Sequence, residues 1–235
     1  MNKWLITCEH GGNVIAPLYS KLFRKTGADL LSHKGWDIGA LELFRNWVPL
    51  ADAYYFSVHS RLLIELNRSL HHPNLYSKYS KHINQQQKQR IQQSCYARYR
   101  NLVEEKISEW LGQGFTIKHI SVHSFTPALN GELRNADIGL LYDPARSQEK
   151  IFARKWKQEI FKNNEQLNVR FNYPYLGKAD GFTTYLRNKY GANYVGLEFE
   201  LNQKLAYQTV INKQLTSSLK QLIGYYNSSC SDKAT

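Results

Sequence analysis

Two histidines in this sequence each follow an apolar run and are followed by small or polar residues. His10 lies in LITCEHGGN, and His123 lies in ISVHSF. Neutral imidazoles that converge from neighbouring strands could bind a divalent metal ion, given a third oxygen ligand and an open position. A metal held in this way lowers the pKa of water and polarises a carbonyl group, which suits hydrolysis. The third ligand stays open, because Asn13 occupies the place of the glutamate in the His-x-x-Glu pattern of many zinc sites.

Two glutamates lie in a late apolar segment, YVGLEFELN. Because side chains alternate along a strand, Glu198 and Glu200 should point to the same face. A buried carboxylate has a raised pKa unless a cation compensates, and it can take a proton from water and return it to a leaving amine. The pair therefore indicates acid–base chemistry or support of a metal, with a buried ion pair as the structural alternative for Glu198.

Several arginines could bind an anion. Arg68 follows Asn67 in ELNRS, and its planar guanidinium could grip a carboxylate through two parallel hydrogen bonds. Arg61 and Arg134 are candidates for a second anion contact. A surface or structural ion pair is the alternative for each of them.

These side chains need a scaffold that brings strand ends together. The apolar and β-branched runs predict strands over 4–8, 53–60, 61–67, 115–125, 137–144, 169–172 and 194–199. Helical spacing predicts helices near 17–25, within 34–48, over 84–111 and 147–162, after Asp180, and over 203–225.

The alternation of strands and helices predicts an α/β fold with a mixed, largely parallel sheet flanked by helices. Reactive groups in such sheets gather at the carboxyl ends of the strands. We expect one domain over residues 1–225, with a basic helical and loop insertion near 69–112, and a flexible tail over 226–235.

Six segments carry a resemblance to a known family. In order they are CEHGGN, SRLLIELNRS, SVHSFTP, RNADIGLLYDP, YPYLGKADGFTTYLR and YVGLEFELNQ. They resemble the signature segments of the N-formylglutamate amidohydrolase family, from about residue 5 to about residue 205. That family is distantly similar to the zinc carboxypeptidases and the aspartoacylase group, so the resemblance implies a zinc-exopeptidase-like fold, also described as phosphorylase/hydrolase-like. It also implies an enzyme that cleaves the amide of an N-acyl amino acid.

The resemblance implies a metal site. His10 and His123 fall at the positions of the two histidine ligands, and Asn13 falls where the distant relatives have a glutamate ligand. The implied cofactor is a divalent metal, with zinc as the expected ion. Three acidic residues are alternative ligands: Glu9, Asp37 and Glu200. Catalysis without metal also stays open.

The resemblance also implies roles in substrate binding and catalysis. Asn67 and Arg68 match an Asn-Arg pair that holds the substrate carboxylate, and Glu198 matches the general base. Three residues of GKADGFTT are expected to line the substrate pocket, or else to form the turn that starts a helix: Lys178, Asp180 and Thr183.

The net charge of +12 fits a small anionic substrate, but it is also compatible with nucleic acid. No Asp or Glu occurs between Asn67 and Val103, whereas seven lysines and arginines do, together with tyrosines that could stack on bases. A basic lid over an anionic substrate needs fewer assumptions than a nucleic-acid interface. A catalytically degenerate family member is a third interpretation.

Three dispersed cysteines argue against a disulfide framework and fit a reducing cytoplasm. No apolar run approaches the length of a membrane span, so we expect no membrane partner.

Overall fold

The computed structural model describes residues 1–231, and a mixed sheet forms its centre. The strands in chain order are β1 (Asn2–Cys8), β2 (Ala53–Phe56), β3 (Thr116–Phe125), β4 (Ala128–Leu129), β5 (Glu132–Leu133), β6 (Ile138–Leu141), β7 (Val169–Phe171) and β8 (Tyr194–Asn202). Six of them form one sheet in the order β2-β1-β3-β8-β6-β7, and β4 pairs with β5 separately. Neighbours in the large sheet are parallel except β6 and β8. The predicted mixed, largely parallel sheet is confirmed.

Helices cover both faces of this sheet. They are α1 (Ala28–Leu31), α2 (Ala40–Trp47), α3 (Gln85–Ile91), α4 (Arg98–Gly112), α5 (Ser147–Asn163), α6 (Phe182–Tyr190) and α7 (Thr209–Ser231). Trp4 and Ile6 of β1 pack in one core with α2, α5 and α7, whereas Leu5 packs in a second core with α4 and α6. Successive strand side chains point to opposite faces, so both faces are buried and the central strands are continuously apolar.

The register of the central strands brings the chemistry-bearing residues to one edge of the sheet. In the parallel pair of β3 and β8, Ser121 lies beside Glu198 and His123 lies beside Glu200. The pairing of β1 with β3 ends at Thr7, three residues before His10. The histidines and the acidic pair therefore come from neighbouring strands.

The predicted strand over residues 61–67 is wrong. This segment consists of turns between β2 and α3. Its apolar side chains, Leu62, Leu63, Ile64 and Leu66, are buried in the second core. A short apolar run can fill a core without pairing as a strand, and burial of adjacent residues on the same side removes the alternation that a half-buried strand requires.

The predicted long helix over 84–111 has an interruption. A π-helical segment, Gln92–Ala97, separates α3 from α4. The helix starts where its sequence predicts, because the Asn84 side chain accepts from the Gln87 backbone N–H at 2.8 Å and the Gln87 side chain accepts from the Asn84 backbone N–H at 3.3 Å. This reciprocal capping box satisfies N–H groups that a helix start leaves unpaired.

The ends of several other predicted elements also differ, and the strand predicted over 53–60 stops at Phe56. The segment near 17–25 is a 3₁₀ helix, Pro17–Phe23. Helix α7 continues to Ser231, so the first six residues of the predicted tail over 226–235 are helical, and the last four lie outside the described residues. Within residues 1–231, none of the helices has the length and apolarity that crossing a membrane would require.

Candidate active site

A cavity of about 280 Å³ lies at the edge where β3 and β8 bring their polar residues. Seven of the predicted site residues line it: Arg61, Asn67, Arg68, His123, Asp180, Glu198 and Glu200. Within the described chain, five predicted site residues do not line it: His10, Asn13, Arg134, Lys178 and Thr183. The cavity therefore collects residues from both halves of the sequence.

The two predicted histidines are in contact. The Nδ1 atoms of His10 and His123 are 3.2 Å apart, and both side chains are buried. The glycines after His10 let this loop pack closely against Val58, because a Cβ atom at Gly12 would lie 2.7 Å from the carbonyl oxygen of Val58. The chain can thus leave β1 directly against the segment that follows β2.

Asp37 joins the two histidines. Its Oδ2 atom is 2.9 Å from Nδ1 of His123 and 3.4 Å from Nδ1 of His10. Ligand atoms about 2.1 Å from a tetrahedral metal are separated by about 3.4 Å, which is close to these distances. His10, Asp37 and His123 form a group that could hold a metal ion.

The structure places Asp37, and not Asn13, beside the two histidines. The Asn13 side chain points elsewhere, since its amide donates to the backbone carbonyl of Leu30 at 3.2 Å. Asp37, one of the open alternatives, occupies the place beside the two histidines. Glu200 lines the cavity but is not part of the three-residue group.

Glu65 is a site residue that the sequence analysis missed. Its carboxylate contacts Nε2 of His10 and accepts a hydrogen bond from Nε of Arg61 at 3.0 Å. Burial raises the pKa of Glu65, but the charges of Arg61 and His10 outweigh burial and hold the pKa well below its usual range. The wrong strand assignment over 61–67 hid this residue, although an acidic residue inside an apolar run was an available signal.

Arg61 is neutralised within the site. It donates to Asp37 and to Glu65, both at 3.0 Å, and its Nη2 atom lies 2.8 Å from Nδ1 of His10 and 3.2 Å from Nε2. Since two carboxylates already balance its charge, Arg61 is poorly suited to the substrate contact that the sequence suggested.

Arg68 differs from Arg61. It lines the cavity, and within residues 1–231 it forms no ion pair with a carboxylate; its guanidinium donates to the backbone carbonyl of Asp180. Arg134 stacks on Tyr175 with 5.2 Å from guanidinium to ring centroid, and it also donates to the Tyr175 hydroxyl at 3.3 Å. Among the described residues, Arg134 does not line the cavity itself but contacts Tyr175, which does.

The acidic pair lies on β8 as its alternation predicts. Glu198 accepts a hydrogen bond from the hydroxyl of Thr183, whereas Oε2 of Glu200 is buried and has no hydrogen-bond partner among the described residues. Burial raises the pKa of Glu200 to about 8, with the negative charges of Asp37 and Glu198 adding to the effect. The two carboxyl groups therefore share a face but have different environments.

Two loops are joined beside Arg68. The Asn67 side-chain oxygen accepts from the backbone N–H of Phe182 at 2.7 Å, and the Asp180 carboxylate accepts from the backbone N–H of Ser69 at 3.0 Å. Asn67 and Asp180 thus hold the loops together. Within the described residues, Lys178 takes no part in these contacts.

A further network lies behind His123. Its Nε2 atom is 3.2 Å from a carboxylate oxygen of Glu9 and 2.8 Å from the hydroxyl of Ser121. Burial lowers the pKa of His123, but the carboxylates of Asp37 and Glu9 outweigh burial and raise it well above the usual value. His123 therefore lies between two carboxylates.

Fold and site together define an α/β protein with a buried His–Asp–His group and an acidic pair at one edge of a mostly parallel sheet. A comparison with family models gives a match to N-formylglutamate amidohydrolase over residues 2–207. The chain belongs to the N-formylglutamate amidohydrolase family. It is accordingly an amidohydrolase, a hydrolase of a linear amide C–N bond, and the resemblance drawn from the six segments is confirmed.

Solved structures of similar fold support the architecture. A gene product from Agrobacterium tumefaciens is 23% identical with a TM-score of 0.78, and the match covers 97% of this chain and 92% of that chain. An N-formylglutamate amidohydrolase from Ralstonia eutropha is 16% identical with a TM-score of 0.64, and the match covers 96% and 94% of the two chains. No match was found among curated proteins.

Proposed function

We propose that this protein hydrolyses the amide of a small anionic N-acyl amino acid, of the N-formylglutamate type. The observation that carries the proposal is that one cavity brings together His123 of the His–Asp–His group, the acidic pair on β8 and the unneutralised Arg68. Hydrolysis forms a bond between a water oxygen and the acyl carbon and breaks the C–N bond, which releases an acid and an amine. The cavity contains carboxyl groups that can move the proton of the water and an arginine that can bind the substrate carboxylate.

We propose that His10, Asp37 and His123 hold the metal. Two imidazole nitrogens and one carboxylate oxygen are a donor set that zinc accepts in catalytic sites, and their spacing fits a tetrahedral ion. A divalent cation bound there would polarise the amide carbonyl and help to ionise water.

Glu198 is the proposed general base. It lines the cavity, and the Thr183 hydroxyl fixes the orientation of its carboxylate. An ionised Glu198 can accept a proton from the attacking water and pass it to the departing amine nitrogen. Glu200 lies two residues further along the same face and contributes a second carboxyl group to the cavity.

Arg68 is the proposed anchor for the substrate carboxylate. Its guanidinium can form two parallel hydrogen bonds to a carboxylate, which fixes the orientation of the acyl amino acid. The hydrogen bonds that join residues 67–69 to residues 180–182 keep this arginine beside the cavity.

The structure favours a small substrate over nucleic acid. Tyr96 and Tyr99 of the basic insertion are 6% and 7% exposed, so they are not free to stack on bases. Arg100 is also buried, with its guanidinium 4.2 Å from the ring centroid of Phe182. We further propose that the chain acts in the cytoplasm as one domain, in keeping with the free cysteines Cys8 and Cys95.

The decisive experiment joins metal analysis to an amine-release assay over a panel of N-formyl and N-acetyl amino acids. We expect the zinc-loaded protein to release amine most rapidly from acidic N-formyl amino acids, and His123→Ala to lose both metal and activity. Zinc-loaded protein that hydrolyses no member of the panel would indicate a degenerate family member. Nucleic-acid binding that falls steeply with salt, without hydrolysis, would instead support the polyanion alternative.

A further inference from the structure

Glu9 is a buried carboxylate with no part in the reaction proposed above. It is 0% exposed, and each of its oxygens accepts a hydrogen bond. The Tyr99 hydroxyl donates to Oε1 at 2.8 Å, and the Ser121 hydroxyl donates to Oε2 at 2.5 Å. The same Oε2 lies 3.2 Å from Nε2 of His123. An isolated buried charge would be costly, so this set of partners indicates a defined role.

The two nitrogens of His123 face different surroundings. Nδ1 faces Asp37 at 2.9 Å and Nδ1 of His10 at 3.2 Å, whereas Nε2 faces Glu9 and Ser121. A metal requires the lone pair of one imidazole nitrogen, and the other nitrogen then carries the hydrogen. Ser121 gives its hydrogen to Glu9 and can therefore accept from the imidazole, so the two nearer partners of Nε2 are both acceptors, whereas the amide nitrogen of Asn67 lies farther away, at 3.5 Å.

We infer that Glu9 is a positioning residue for the metal site: together with the Ser121 hydroxyl, which it orients, it holds the Nε2 hydrogen of His123 and so presents Nδ1 to the ion. The inference rests on the proposed metal-dependent function. A carboxylate that holds the second nitrogen of a ligating histidine fixes the tautomer and the ring orientation, and its loss typically weakens metal binding 10- to 100-fold.

Tyr99 links Glu9 to the basic insertion. It lies on α4, and its hydroxyl is the partner that holds Oε1 of Glu9. Removal of this one hydrogen bond leaves the charge and the contact with His123 in place. Tyr99→Phe should therefore weaken metal binding less than Glu9→Gln does.

The test measures zinc affinity by competition with a chromophoric chelator, on the full chain. We expect Glu9→Gln to bind zinc 10- to 100-fold more weakly than the unmodified protein. Glu149→Gln is the matched control, because Glu149 is also 0% exposed but is paired with Arg187 outside the cavity. It should retain the zinc affinity even where it lowers stability.

Nitrogen NMR of the imidazoles in the zinc-loaded protein gives a second readout. We expect His123 to bind zinc through Nδ1 and to carry its hydrogen on Nε2, and this spectrum decides the question if Glu9→Gln fails to fold. Ligation through Nε2, or an unchanged zinc affinity in Glu9→Gln, would overturn the inference while leaving the metal site intact. If the unmodified protein binds no zinc, the metal-dependent function and the inference both fail.

Discussion

Arg61 and Arg68 show how neighbours decide what an arginine can do. Both stand near polar clusters in the sequence, and both line the cavity. Arg61 lies between Asp37 and Glu65, whereas Arg68 meets only a backbone carbonyl in the part of the chain that the structure describes. Side-chain type alone does not separate these two cases, and a substrate carboxylate would find a free cation at Arg68.

Arg68→Met should weaken the use of acidic substrates. The change removes the charge and both hydrogen bonds, and truncation of one partner of such a pair costs about 2 kcal/mol at the low end, or roughly a 30-fold fall in kcat/KM. Steady-state kinetics with an acidic N-formyl amino acid would measure the fall. Arg90→Met, at an exposed position of α3, is the matched control. Unaltered kinetics in Arg68→Met would reject the anchoring role.

Glu198→Gln should lower kcat by roughly 10²- to 10⁴-fold, because general base catalysis typically contributes this much. Glutamine keeps the oxygen that accepts from the Thr183 hydroxyl, so the fold and the metal content should not change. Single-turnover rates, thermal unfolding and zinc content of the same preparation would separate these effects. A variant with full turnover would remove Glu198 from the mechanism.

At the scale of elements, Arg187 connects helices α5 and α6 with the loop that precedes α6, part of which lines the cavity. It lies on α6, donates to Glu149 of α5 at 2.8 Å, and donates to the backbone carbonyl of Gly196 in β8 at 3.1 Å. It also donates to the backbone carbonyl of Gly177, in the loop that precedes α6. One side chain thus ties two helices, a strand and a site loop together.

Arg187→Met should destabilise the protein by about 3 kcal/mol, the low end for a broken buried ion pair, because the buried Glu149 carboxylate then keeps only one ion pair among the described residues, the longer contact with Arg146 at 3.4 Å. Urea unfolding would measure the loss. The double variant Arg187→Met with Glu149→Gln removes both charges and should recover part of it. A loss below about 1 kcal/mol in the single variant would contradict the assignment.

At the scale of the whole molecule, the central strands bury a histidine that is not part of the metal group. His119 of β3 contacts the Thr7 hydroxyl at 2.8 Å and the hydroxyl of Tyr194. Burial lowers the pKa of His119 to about 4. Its ordinary pKa is about 6.5, so between these values the unfolded chain binds a proton that the folded chain does not.

The contribution of His119 to stability should therefore fall as pH falls from about 6.5 towards 4, by about 2 kcal/mol between pH 7 and pH 5. Glu200 and His123 have raised pKa values and contribute in the opposite direction, so the difference between the unmodified protein and His119→Gln isolates the effect of His119. Urea unfolding at both pH values would measure it, with His119→Gln as the comparison, since glutamine does not titrate. An equal change between the two pH values in both proteins would show that His119 does not carry this dependence.

Much of the scaffold follows from local pattern. Apolar runs such as the one before His123 predict buried strands, and period-two alternation correctly places Glu198 and Glu200 on one face. Alternation of strands with helices predicts the mixed sheet, and six ordered segments predict the family. These properties depend on residues that are near one another in the chain, which is why a single sequence contains them.

The composition of the site depends on which loops meet. Asp37 and Glu65 reach the two histidines through connections whose course no local pattern specifies, and Asn13 turns away to the carbonyl of Leu30. The charge of Arg61 is likewise balanced by two carboxylates. Asp37 is distant in the sequence, and Glu65 lies inside an apolar run that does not mark it as a site residue. The sequence by itself therefore determined the sheet, the two histidines and the acidic pair. Only the tertiary structure decided that Asp37 lies beside the histidines and that Arg68 lines the cavity without a carboxylate partner among the described residues. These features result from contacts between segments that are far apart in the chain.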